Sequence, residues 1–183
     1  MKVTIKTGIF FALIWMIAKL SFFLTGAFAY NVVPAVMFNI FCLLLAITVG
    51  LYRQKLKDTE AGNALRDIKN AMSAGVPYAV LVSLFIFFYY SQIDPNFNEH
   101  QIAEAEVGIQ KMLDNPTSFS NVKKSNEAFE VMTKDEIYDK LIQGPRGFYS
   151  PLSTMTVSML AMLLLTTINS IFITIVFRKI VFR

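Results

Sequence analysis

Lys19 is the first residue in this sequence that invites chemistry, because it lies inside a long apolar run. An ionisable side chain placed there costs roughly 2.5–3.5 kcal/mol on insertion scales, and by default it marks a functional position. Counted from the ends of their own apolar runs, Asn39 and Ser83 fall near the same depth. Lys19, Asn39 and Ser83 are therefore a candidate intramembrane polar layer, which serves either as hydrogen-bonded glue between helices or as the lining of a ligand cavity. A third reading leaves Lys19 out of it, its stem snorkelling to the outer headgroups. As delimited below, the apolar runs hold no Asp or Glu, so a proton-coupled carrier would lack an acidic relay.

Other candidates are weaker. The last apolar run carries Thr154, Thr156, Ser158, Thr166, Thr167, Asn169 and Ser170, hydroxyls that either bond their own helix or favour helix–helix contact. Ala71, Gly75 and Ala79 form a small-residue stripe at spacing four, a helix-packing face that allows close approach within a bundle or to a partner. Pro77 removes one backbone bond beside it. His100 and Glu104 share a helical face, but a single His with scattered acids lacks the ligand pattern of a dependable zinc site. No metal and no cofactor are expected. Cys42 is the only cysteine, so no internal disulfide forms. There is no nucleophile elbow, P-loop or dinucleotide glycine pattern, and the spans hold no paired carboxylates; no catalytic residue is assigned and the chain is read as non-enzymatic.

The elements that must position these residues are long helices. The 183 residues are 55% hydrophobic, against roughly 45–50% for soluble domains, and the mean hydropathy is +0.50. Apolar runs cover about 5–29, 32–52, 71–90 and 151–177. Each reaches or nearly reaches the ~20 residues a helix needs to cross ~30 Å of hydrocarbon. Helices rather than a barrel follow from the unbroken apolar runs. The fold class is an all-α membrane protein, a four-transmembrane-helix bundle with a helical extracytoplasmic segment, 91–150, between spans three and four.

Charge sets the orientation. Lys2 and Lys6, the link with Arg53, Lys55, Lys57, Arg66 and Lys69, and the tail with Arg178, Lys179 and Arg183 all belong on the cytoplasmic side. The 91–150 segment holds six basic and ten acidic residues, a net charge of −4, and faces outward with the short Tyr30-Asn31 turn. The net charge of +4 is thus a topology signal and implies no nucleic-acid partner. Ala27-Phe28-Ala29 also matches a signal-peptide cleavage pattern; a run this long carrying Lys19 favours its retention as a span. In the outer segment Asn98 is expected to cap a helix over 99–113, with Asn115-Pro116 as its stop and 117–126 as a linker. Thr133 and Glu136 make a capping box for a second helix that ends at Gly144-Pro145. Ser150-Pro151 reads as the cap and first position of span four.

The Lys-rich start leading into Gly8-Ile9-Phe10-Phe11, the link Tyr52-Arg53-Gln54-Lys55, residues 62–75, Ile93-Asp94-Pro95-Asn96-Phe97 and the short basic tail together resemble a family of uncharacterised four-span inner-membrane proteins of Bacteroidota, a domain of unknown function. The resemblance covers nearly the whole chain, carries no catalytic residues, and implies a bacterial inner-membrane location and an accessory role in envelope assembly. The expected function is a non-enzymatic accessory or scaffold subunit whose partners are the lipid bilayer and another membrane protein or a second copy. The alternative is a small transporter or lipid-binding or flipping protein that uses the polar layer around Lys19.

Overall fold

The computed structural model describes residues 2–28, 31–57 and 63–181, and among these there is no strand. Ala29, Tyr30, Gly62 and Arg183, on which parts of the cleavage, turn, link and tail readings fall, lie outside the described residues. The helices are α1 (Val3–Thr25), α2 (Val33–Lys57), α3 (Ala64–Phe88), α4 (Pro95–Asp114), α5 (Pro116–Ser125), α6 (Glu127–Glu130), α7 (Lys134–Phe148) and α8 (Pro151–Val176). A π-turn follows α3 at Tyr89–Ile93, and another follows α8 at Phe177–Val181. α1, α2, α3 with its π-turn, and α8 are each long and apolar enough to cross a membrane.

Two compact units divide the chain: residues 1–88 with 155–183, and residues 89–154. In the first, α3 is central. Of its most apolar window 44% is buried, against 22% for α1 and for α8. Its small residues explain this. A Cβ at Gly8 of α1 would overlap the Ala74 carbonyl oxygen, and one at Gly50 of α2 would sit 2.8 Å from the Ala74 Cβ. Glycines at these two points let three backbones close on one another, the form helix association takes where lipid removes the hydrophobic drive between helices. Phe10, Leu13 and Ile17 of α1 and Leu160, Leu164 and Ile168 of α8 remain exposed as apolar faces, suited to acyl chains. α1 ends on Gly26, whose φ of 66° supplies the left-handed cap that a side chain would resist.

Span three begins at Ala64 rather than near residue 71. Asn63 Oδ1 accepts the Leu65 N–H at 3.3 Å and starts the helix ahead of the apolar run, so Asp67 belongs to it. In the second unit, Asn98 is no cap: Pro95 occupies the first turn of α4, and Asn98 is buried inside it. The stretch expected as a linker is helical, because Asn115 both ends α4 and accepts the N–H groups of Thr117 and Ser118 to open α5. α7 passes through Pro145 to Phe148, its last turn closed by Tyr149 N–H on the Pro145 carbonyl at 2.9 Å. The Thr133–Glu136 capping box forms, and Ser150 Oγ accepts the Ser153 N–H at 3.3 Å at the head of α8.

Candidate functional site

The most heavily charged buried site in the membrane unit is Asp67. Its side chain is 3% exposed, and its carboxylate takes Lys55 Nζ on Oδ1 at 2.9 Å and Arg178 Nη1 on Oδ2 at 2.8 Å. Each charge sits at the helix end that favours it. Asp67 lies in the first turn of α3, Lys55 in the last turn of α2, and Arg178 in the π-turn that closes α8. Lys55 is 14% exposed while Arg178 is 41% exposed, so the triad is sealed on the α2 side and meets its surroundings on the α8 side. Tyr52 and Phe177 meet edge-on beside it, ring centroids 6.4 Å apart. With two cations on one carboxylate, the triad ties the end of α8 to α2 and α3 and carries one net positive charge.

Deeper in the same unit, the Tyr78 hydroxyl donates to Asn39 Oδ1 at 2.6 Å, with the Asn39 carbonyl oxygen 3.0 Å away. Asn39 Nδ2 lies 3.5 Å from Met162 Sδ of α8. Trp15 Nε1 donates to the Ala35 carbonyl at 3.2 Å and its ring meets Phe85 edge-on. Ser73 gives its proton to the Asn70 carbonyl at 2.8 Å, leaving its oxygen to accept from Thr4 at 2.6 Å.

Of the expected polar layer, Asn39 bonds Tyr78, whereas Ser83 turns back on its own helix to the Ala79 carbonyl at 2.8 Å. Lys19 is half-buried on α1. Ala71, Gly75 and Ala79 are all buried, and Gly75 receives the Thr166 side chain of α8 together with Ile47 of α2. The stripe extends one step further than expected: Asp67, Ala71, Gly75 and Ala79 stand four apart on one face. That spacing was the signal that could have drawn Asp67 into the site; the hydropathy boundary at residue 71 hid it.

In the second unit, His100 and Glu104 line an open groove on α4 with Ala103, Val107, Gly108 and Lys111. Among the described residues no three metal-ligating side chains come together. Tyr89 donates to Asp94 Oδ2 at 3.2 Å, and Tyr90 packs on Phe97 with centroids 5.1 Å apart. The Thr133 backbone N–H holds the Glu136 carboxyl below its usual range, and Glu106 raises Arg146 through a 2.8 Å bond between α4 and α7.

Four helices long and apolar enough to cross a membrane define a multi-pass helical membrane protein. The chain belongs to the DUF4199 family, described as proteins of unknown function, whose model matches residues 6–179 and so takes in both Asp67 and Arg178. Curated proteins and solved structures give no match to the chain.

Proposed function

We propose that this protein is a non-enzymatic accessory or scaffold subunit of a bacterial inner membrane, with both ends cytoplasmic and residues 91–150 outside. The observation that carries the reading is how the polar groups of α1, α2 and α3 are used. Tyr78 with Asn39, Trp15 with Ala35, Thr4 with Ser73 and Asp67 with Lys55 each join two different helices. Groups engaged in this way set helix positions, and they leave a packed platform whose lipid-facing sides suit another membrane protein or a second copy. The orientation follows the basic residues at the Asp67 end of the bundle. The resemblance to Bacteroidota inner-membrane proteins supports a place in envelope assembly.

A second reading, a small transporter or lipid-handling protein, draws on the polar layer around Lys19 together with the hydroxyls of α8. The test is purification from native membranes in mild detergent, then native mass spectrometry of wild type and Lys19→Leu. A protein partner retained in fixed ratio by both is the expected result. A bound lipid or small molecule, present in wild type and lost in Lys19→Leu with no protein partner in either, would replace the scaffold reading with the second one.

A further inference from the structure

Three hydroxyls of α8 are left over by the packing. Thr166 and Ser170 are 0% exposed and Thr174 is 1% exposed, and the side-chain oxygen of each has no hydrogen-bond partner in the protein. Elsewhere on α8 the ordinary solution is used: Thr154, Thr167 and Asn169 each bond the carbonyl four residues back. The three that forgo it are spaced by four and share one stripe, which continues to Arg178. Facing it is the α3 stripe of Asp67, Ala71 and Gly75.

Two contacts bound the interface between these stripes. At one end the Thr166 side chain presses on Gly75, its Oγ1 2.9 Å from where a Cβ would stand. At the other, Arg178 bonds Asp67 at 2.8 Å. Ser170 and Thr174 lie along α8 between these points, as Ala71 does on the α3 stripe. Each Asp67 oxygen holds one cation and keeps a further lone pair. Buried polar groups that the protein leaves without partners are the ones that ordered water serves, and a buried apolar surface is not.

We propose that α8 is docked on α3 across a hydrated seam. Water enters at the half-exposed Arg178, bridges Asp67 to Thr174 and Ser170, and stops at the Thr166–Gly75 contact. The seam is an aqueous inlet into the bundle from one membrane face. The inference does not depend on the scaffold reading.

The test is thiol labelling in membranes opened on both sides, on a Cys42→Ala background, with a small water-soluble methanethiosulfonate. The positions are Thr174→Cys, Ser170→Cys and Thr166→Cys, with Phe172→Cys and Ile168→Cys as lipid-facing controls. A methanethiosulfonate reacts with the thiolate, which forms only where water reaches the sulfur. Labelling at 174 and 170 is expected to run roughly tenfold faster than at either control, the difference that one order of thiolate population makes, with 166 slowest of the three. This reverses the order of surface exposure, since Phe172 and Ile168 are 64% and 62% exposed. Rates at 174 and 170 no higher than the controls would overturn the seam. Should a cysteine variant fail to fold, the melting temperatures of Ser170→Ala and Thr174→Val in detergent decide. Loss of a water-bonded hydroxyl lowers melting, whereas unchanged or higher melting marks a dry, unpartnered hydroxyl and overturns the proposal.

Discussion

The α1–α2–α3 cluster and the α8 edge are built from the same kinds of residue and use them in opposite ways. On one side of α3, Gly8 and Gly50 bring backbones against Ala74, and Thr4, Thr7 and Ser73 have found partners. On the other side, Gly75 admits a threonine side chain, while Thr166, Ser170 and Thr174 have not. The firmest bond there is an ion pair at the helix end. Helices in lipid gain little from hydrophobic contact with one another, so close fit and satisfied polar bonds decide which of them hold fast. By that measure the first three spans are a fixed core, and α8 is an edge latched at Asp67.

The largest expected break comes from Gly8→Val. The added carbons meet a backbone carbonyl, which cannot swing aside as a flexible side chain would, so overpacking reaches the upper part of its range, about 3 kcal/mol. Loss of folded protein in detergent, read by size-exclusion and melting, checks this; a variant that folds as wild type does would remove the fixed-core description. Asp67→Asn should act on the other region. It leaves Lys55 buried without its carboxylate, at about 3 kcal/mol, while the Arg178 half of the triad contributes less because that side chain is 41% exposed. Disulfide crosslinking of Tyr52→Cys with Phe177→Cys should fall, and that of Thr4→Cys with Ser73→Cys should hold. If both pairs change together, the core and the edge are a single cooperative piece. Tyr78→Phe should cost about 1 kcal/mol, the worth of one interhelical bond, with both crosslinks intact.

How much of this could be read beforehand depended on scale. The spans were legible because apolar runs near twenty residues leave few alternatives to a membrane helix. The Thr133–Glu136 box and Ser150-Pro151 were legible because capping is local chemistry. Asp67 was not, since averaging hydropathy places a boundary at the first sustained apolar stretch and treats the turn before it as loop. Its place on the Ala71–Gly75–Ala79 stripe was in the spacing all along. The pairing of Tyr78 with Asn39 depends on the rotation of two helices about their axes, which no single helix encodes. Residues 117–126 misled in another way: a Ser/Asn/Lys composition reads as linker, yet Asn115 turns a stop into a start by accepting two N–H groups.

The smallest effect belongs to the second unit and sharpens the comparison by leaving both membrane regions alone. In the α7 capping box, Thr133 N–H bonds Glu136 Oε2 at 2.7 Å and the Thr133 hydroxyl meets the same oxygen at 2.9 Å. These bonds favour the ionised carboxyl, holding its pKa below the usual 4.5. A depressed folded-state value means that the box supports α7 fully above the ordinary Glu range, and that this support is lost as pH falls through the folded value. Amide exchange across Lys134–Phe148, compared between neutral and mildly acidic pH after correction for the intrinsic rate, should lose protection in the first turn of α7. Thr133→Ala should cost up to about 1 kcal/mol at neutral pH and should weaken that pH dependence only in part, because the hydroxyl bond goes while the backbone N–H, the larger cause of the Glu136 shift, stays. A pH dependence abolished in Thr133→Ala would place the origin of the Glu136 shift in the hydroxyl rather than in the backbone N–H. A change in the Tyr52–Phe177 crosslink in the same variant would mean that the cap reports on the edge of the bundle as well as on its own helix.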